Sequence, residues 1–348
     1  MEWIKPEYSK KQVNKAGDLL TPREEFKHYS GGKMPLVDAI KILFNWRAAH
    51  AFPMQIILDF LRKTSLRVDK KAIAVQRLKR ISSILEKLKR ENGMNLSRME
   101  DIAGCRVVVE NCDQVYDIYE KFKKSRTKHI LYRERDYINN PKPSGYRSIH
   151  LIYKYNAGKK EYGGLPVEIQ IRSQIQHSWA TAVEVVGTFT KQALKASSGD
   201  KSWLEFFRLV SIEFAKLERN QPYSNAQYNS SFNEMSELYN QLDVEKRLHA
   251  FKVVAKKIAS SKNDTYYLLK LNLTDRLVTV SKFQKKDLEN ATSQYDSEEQ
   301  RYKDDSDIDL VLVSAKSVKD LKKAYPNYFL NTGEFSKNLK KVFKLYHS

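Results

Sequence analysis

The chain has 348 residues, of which 41% are hydrophobic and 11% aromatic, enough apolar side chain for a packed core and too much for wholesale disorder. Lysine and arginine number 62 against 42 acids, and the resulting formal charge of +20 points to phosphate-rich partners such as nucleotides or nucleic acid. The only cysteines, Cys105 and Cys112, exclude a disulfide scaffold and a four-cysteine zinc site, and no apolar run nears the roughly 20 residues that span a bilayer.

The opening Met1-Glu2-Trp3-Ile4-Lys5-Pro6 lacks the apolar stretch of a secretory signal, so a cytoplasmic protein without membrane contact is expected. The first forty residues, punctuated by Pro6, Pro22, Gly31, Gly32 and Pro35, read as short helices joined by turns. Residues 35–60 are apolar at helical spacing. Residues 75–88 repeat Leu78, Ile81, Leu85 and Leu88 with basic side chains opposite, which predicts a helix. The period then changes. Residues 105–109, behind Gly104, predict a buried strand, 113–124 a crossover helix, and 149–153 and 166–171 two more strands. Helices are expected after Ser173, over 203–217 and over 232–259. From about Phe251 a second block reads β-β-α-β-α: strands at 266–273 and 277–283 around the turn Thr274-Asp275-Arg276, a polar helix at 285–302, a strand at 308–313, and amphipathic helices around Leu321 and Leu339. A block of about 100 residues can fold alone, so two domains are expected, 1–250 and 251–348.

Four clusters carry chemistry. Arg77-Leu78-Lys79-Arg80 opens the basic face of the helix expected there, and Arg77 and Lys79 could hold two parts of one polyanion. Asp101 in Asp101-Ile102-Ala103-Gly104-Cys105-Arg106 stands at the edge of a strand, a place for a carboxylate that holds a divalent ion against phosphates, or for a simple turn residue. A loop over 133–150 combines Arg135, Lys142, Arg147 and His150 with Pro141, Pro143, Gly145 and Tyr146; its cations can neutralise polyphosphate and its tyrosine can stack on a base. In Val167-Glu168-Ile169-Gln170-Ile171-Arg172, strand alternation places Glu168, Gln170 and Arg172 on one face, where Glu168 can meet Asp101 over a magnesium ion or take a proton from a hydroxyl.

The motifs R-x-K, D-I-x-G-x-R, R-D-Y-I-x-N-P-K-P-x-G-Y-R-S-x-H and V-E-I-Q-I-R, in this order over residues 35–187, closely resemble the synthetase domain of the RelA/SpoT alarmone enzymes. The resemblance implies an α+β fold, a nucleotidyltransferase-like mixed β-sheet flanked by helices. It implies a pyrophosphokinase that moves pyrophosphate from ATP to a ribose hydroxyl and releases AMP. By the same resemblance Arg77 and Arg106 belong to the ATP site, with Lys79 near the phosphates and Arg135, Lys142 and His150 along the polyphosphate path. Asp101 and Glu168 hold magnesium, Glu168 activates the acceptor hydroxyl, Tyr146 stacks on the acceptor base, and Gln170 and Arg147 contact the acceptor. Ser144 stands where alarmone makers often have Asn, and nothing resembles the hydrolase domain of the long enzymes.

The residues 8–17 and 324–330 are similar to those of fused toxin–antitoxin RelA/SpoT proteins of the CapRel type. That likeness implies a small C-terminal domain shaped like a zinc finger without zinc, which restrains the synthetase until a phage protein such as a capsid subunit binds. The acceptor is then the 3′ CCA end of tRNA, the outcome arrest of translation, and a monomer is favoured. The alternatives are an alarmone synthetase acting on GDP, GTP or adenine nucleotides, and a non-catalytic nucleic-acid-binding regulator. Tyr325 and Tyr328, three residues apart, either cover an adenine-binding surface in competition with ATP or belong to the core. The acidic stretch 296–309 either docks on the basic synthetase face or forms a solvated loop.

Overall fold

The computed structural model describes residues 3–21, 34–91, 93–190, 200–218, 225–250, 254–255, 265–275, 277–302, 305, 307–315 and 317–347. The turn-rich segment 22–33, the expected boundary at Phe251 and Arg276 of the expected tight turn lie outside them.

The helices are α1 Lys10–Leu20, α2 Leu36–Ala49, α3 Ala51–Leu66, α4 Ile81–Arg90, α5 Cys112–Lys123, α6 Gln174–Phe189, α7 Lys201–Leu217, α8 Asn225–Gln241, α9 Val244–Ala250, α10 Leu288–Arg301, α11 Val318–Ala324 and α12 Gly333–His347. The strands are β1 Ile73–Leu78, β2 Ala103–Val109, β3 Ile130–Asp136, β4 Ile149–Lys154, β5 Pro166–Ser173, β6 Val254–Ala255, β7 Thr265–Asn272, β8 Leu277–Gln284 and β9 Ile308–Ala315. All belong to one mixed nine-stranded sheet in the order β3-β4-β5-β2-β1-β9-β7-β8-β6. Among the described residues no helix is long and apolar enough to cross a membrane.

The helix expected over 75–88 is instead strand β1 followed by α4. Ile73, Ala74 and Val75 ladder against Val108, Val107 and Arg106 of β2, and this long-range pairing overrides the local helical spacing. The helix begins only after Arg80, whose backbone is extended. The expected loop over 133–150 begins as edge strand β3, hidden in the sequence because its residues are mostly exposed and do not alternate. The helix expected over 232–259 is broken: Asp243 takes a positive φ between α8 and α9, and Val254 and Ala255 pair with β8.

The second block does not stand apart. Strand β9 pairs with β1 through Gln76↔Ser314 and Arg77↔Val313, a seam far shorter than the eight-residue ladder of β7 with β9. Apolar residues of β7, β9 and α11 share a core with Val75 of β1 and Val185 of α6. Helix α12 leaves the block altogether, burying Phe335, Leu339 and Val342 among Trp203, Phe207 and Phe214 of α7. Strands β7–β9 with α10 and α11, the appended block, thus share one sheet with the strands before residue 250, and the last helix packs into the core formed around α7. That core in turn positions the site. Helices α3 and α5 bury one face of β2, β4 and β5, including Val167, Ile169 and Ile171, while α6 lies against the face bearing Glu168, Gln170 and Arg172.

Candidate active site

Strand register lines up the polar residues of that second face. Directly opposed residues share a face of a sheet, so the pairings Arg135↔His150, His150↔Gln170 and Gln170↔Arg106 lay one row across β3, β4, β5 and β2. The neighbouring row runs Glu168↔Gly104 and Gly104↔Arg77. Gly104 leaves open space between Arg77 and Glu168: a Cβ there would meet only the Arg77 carbonyl oxygen, at 3.7 Å. Asp101 stands two residues before β2 begins at Ala103.

A ring of hydrogen bonds ends on Glu168. Arg172 donates through Nη2 to the Tyr146 hydroxyl (2.7 Å) and to Gln170 Oε1 (2.7 Å). Gln170 Nε2 donates to Glu168 Oε2 (2.7 Å). With His150 as the Nδ1–H tautomer, the Tyr146 hydroxyl donates to His150 Nε2 (2.7 Å) and His150 Nδ1 donates to Glu168 Oε1 (2.9 Å). Each polar group is thereby used in one direction, and the carboxylate is the acceptor at the end of both arms. Burial pushes the Glu168 carboxyl up, but His150, Gln170 and Lys87 outweigh it and hold it well below the usual carboxylate range. Burial lowers the His150 imidazole, against the opposing pull of Glu168.

Cations surround the two acids. Asp101 takes Lys79 Nζ at 3.2 Å and Lys87 Nζ at 3.0 Å, one on each oxygen. Partial burial lowers the Lys142 ammonium, and so do Arg135, Lys87 and Arg172, against the opposing pull of Glu168. Arg135 itself lies 3.6 Å from Glu100. Arg172 is 1% exposed, and its Nε and Nη1 have no hydrogen-bond partner among the described residues; the same holds for Arg106 Nε. Unpaired guanidinium groups beside a row of cations suit an anion with several oxygens. Lys87 and Arg172 were not assigned a role from sequence. The basic face of α4 and the alternation of β5 were the only signals, and neither says how far a side chain reaches.

Two residues expected to contact the acceptor lie in the interior. Tyr146 is 3% exposed, packs edge-on to Tyr137 and His150, and spends its hydroxyl in the ring described above. The cause is Gly145, at φ +87°, where a Cβ would come within 2.9 Å of Ser211 Cβ; glycine lets the loop close onto α7 and drives the next side chain inward. Arg147 is buried as well, donating to Ser211 Oγ (3.1 Å) and the Ile138 carbonyl (2.7 Å), away from the polar face. Arg77, expected on a helix, is exposed on β1 with Tyr325, Tyr328 and Glu184 as electrostatic neighbours.

The appended block covers the Arg106 end of the row. The Tyr325 ring centroid is 5.1 Å from the Arg106 guanidinium, the Tyr325 hydroxyl donates to the Gln76 carbonyl (3.0 Å), and Arg106 Nη2 donates to the Ala324 carbonyl (2.6 Å). Tyr325 and Tyr328 are both core residues of the block, and Tyr325 faces the polar row at the same time. The acidic stretch docks on the basic face: Asp296 lies 3.4 Å from Arg47, and Asp309 pairs with Arg80.

Two carboxylates among several cations on one face of a mixed sheet suit an anion with several oxygens. Residues 76–188 match the region found in RelA / SpoT proteins. Over 111 residues the chain is 37% identical to the GTP pyrophosphokinase YjbM of Bacillus subtilis, and over 128 residues 34% identical to a GTP pyrophosphokinase of Haemophilus influenzae. These alignments cover 30% and 35% of this chain, and 51% and 16% of the respective relatives, so the chain spans about half of the first and a small part of the second. Among solved structures, the small alarmone synthetase 1 of Bacillus subtilis bound to its product pppGpp is similar with a TM-score of 0.43 and 24% identity, over 52% of this chain and 93% of that one.

Proposed function

We propose that this protein is an ATP-dependent pyrophosphokinase held closed by its own appended block. The observation that carries the reading is the ring of hydrogen bonds that ends on Glu168, whose carboxyl feels Lys142 and also Lys87, the partner of Asp101. In the proposed reaction a ribose hydroxyl of the acceptor attacks the β-phosphorus of ATP, the bond from that phosphorus to the α-bridging oxygen breaks, and AMP leaves. Glu168 takes the hydroxyl proton, and His150 and Gln170 orient it. Lys79, Lys87, Arg135 and Lys142 offset charge on the phosphates. Arg77 and Arg106 flank the adenine.

Asp101 and Glu168 are hard carboxylate donors of the kind magnesium takes, and they would hold it. When bound, magnesium would supply charge neutralisation to the phosphates. Arg172 and Tyr146 act through Glu168 and are positioning residues. Tyr325, against Arg106, occupies the surface on which adenine would stack, so closure and ATP binding compete.

The relatives named GTP pyrophosphokinases support a guanosine nucleotide as acceptor. The second reading is the 3′ CCA end of tRNA, with translation arrest as the outcome and a phage capsid protein as the trigger that releases the block. The formal charge of +20 and the burial of Tyr146, which leaves no preformed stacking platform for a free guanine, favour it. A trigger must bind the released state preferentially, since equal affinity for both states shifts nothing.

The test is transfer of label from γ-labelled ATP to GDP, to GTP or to bulk tRNA by the full chain and by Glu168→Gln. Removing the base should lower transfer by about 100- to 10,000-fold while ATP binding persists. Equal, measurable transfer with and without Glu168→Gln in a variant shown to be open would refute the catalytic role of Glu168, and no transfer to any acceptor by that open variant would leave only a nucleic-acid-binding regulator.

A further inference from the structure

Three carboxylates of the appended block converge on a second cationic surface, beside the catalytic row but not part of it. Asp296 of α10 lies 3.4 Å from Arg47 Nη1, and the Tyr295 ring sits 4.9 Å from the same guanidinium. Glu299, one turn on, accepts the backbone N–H of Ile81 at 2.8 Å, the first residue of α4. Asp309 pairs with Arg80, and this contact is the largest cause raising the Arg80 guanidinium. These partners are 218 to 249 positions apart in sequence. Arg80 makes no side-chain cap of its own at α4, so the helix N-terminus receives its anion from the other block. Arg47 is 3% exposed and fixed from behind, its Nε donating to the Lys79 carbonyl at 2.7 Å.

We propose that Arg47, Arg80 and the N-terminus of α4 form a docking subsite for the phosphodiester backbone of an RNA, and that Asp296, Glu299 and Asp309 stand in for successive phosphates while the block is closed. Each carboxylate has its own contact, Asp296 with Arg47, Glu299 with the Ile81 N–H and Asp309 with Arg80, and Asp296 and Glu299 lie three apart on α10. Residues three apart on a helix are about 5–6 Å apart, of the same order as the spacing of charges along a nucleic-acid strand. A single phosphate would occupy one of these contacts, whereas an RNA backbone occupies all of them. The two ligands are mutually exclusive, so RNA binding and release of the block are linked. This goes beyond the pyrophosphokinase reading and does not depend on which acceptor is used.

The test uses the full chain and a fluorescently labelled RNA hairpin with a 3′-deoxy end, which cannot serve as acceptor. Binding is followed by anisotropy between about 50 and 200 mM salt. Glu299→Gln with Asp309→Asn, isosteric changes that weaken the stand-ins, should tighten RNA binding at least about tenfold, a shift of 1.4 kcal/mol. Adding Arg80→Gln should reverse that gain and reduce the slope of log K against log salt by about 0.7–0.9, while Arg80→Lys should retain the slope. The proposal is overturned if Arg80→Gln leaves affinity and slope unchanged in the opened chain. It is overturned equally if the double variant binds RNA no tighter than wild type, or if inorganic phosphate displaces the RNA at matching concentration. Loss of pyrophosphate transfer with this RNA pattern intact would sink the catalytic reading alone.

Discussion

Replacing Tyr325 tests the restraint at its most loaded contact. The ring is 1% exposed and belongs to two environments, the core of the block around Leu321 and Tyr328 and the face of Arg106. Truncating a buried aromatic to alanine costs about 3–5 kcal/mol in all. The share that acts across the seam comprises the contact with Arg106, about 1–2 kcal/mol for a desolvated cation over a ring, and the hydroxyl bond to the Gln76 carbonyl, about 1 kcal/mol. Tyr325→Ala should therefore shift the closed–open balance by about 2–3 kcal/mol, roughly 30- to 150-fold, and Tyr325→Phe by about 1 kcal/mol, roughly fivefold. Because apparent affinity scales with the open fraction, the apparent KM for ATP should fall by those factors, with less change in kcat. The assay is initial-rate transfer from γ-labelled ATP, with amide hydrogen exchange at Gln76 reporting whether the β1–β9 seam has opened. If exchange shows an open seam in Tyr325→Ala and the apparent KM for ATP is unchanged, the tyrosine does not compete with ATP and the reasoning fails.

Two further outcomes are expected. Phe335→Ala should lower stability by about 3–5 kcal/mol, read as the urea midpoint, because the ring is buried 5.5 Å from Phe214 and 5.9 Å from Phe207; deletion of 251–348 should be worse than deletion of 265–330 with α12 retained, and equal stability of the two would show that α12 does not complete the first core. Burial lowers the His50 imidazole from 6.5 to about 4, against the opposing hydrogen bond to the Trp46 carbonyl. The folded state thus binds fewer protons than the unfolded chain between these values, so stability should be flat above pH 6.5 and fall by about 3 kcal/mol as pH drops to 4; His50→Gln should flatten this component, and an unchanged slope would place it elsewhere.

The catalytic half was largely legible in one dimension. Alternation along β5 put Glu168, Gln170 and Arg172 on one face, and the short apolar run of β2 announced a buried strand. The order of motifs carried the resemblance to RelA/SpoT proteins, because spacing along a strand survives folding as spacing on a face. Reading failed where a partner far along the chain decided the conformation. Residues 73–78 carry apolar spacing compatible with a helix, and only the ladder with β2 makes them a strand. Edge strand β3 exposes most of its side chains, so no burial pattern marks it.

What sequence alone determined about this protein is the set of chemical groups and the local faces that bear them: two acids, a run of cations, an acidic stretch and a pair of tyrosines. Tertiary structure alone decided which of them meet. It turned Tyr146 inward onto His150, bridged both oxygens of Asp101 with lysines, set Tyr325 on Arg106, and returned α12 to the first core. The reason is physical: a side chain's reach and burial depend on neighbours brought in from distant segments, and hydrogen-bond direction and charge compensation exist only once those neighbours are in place.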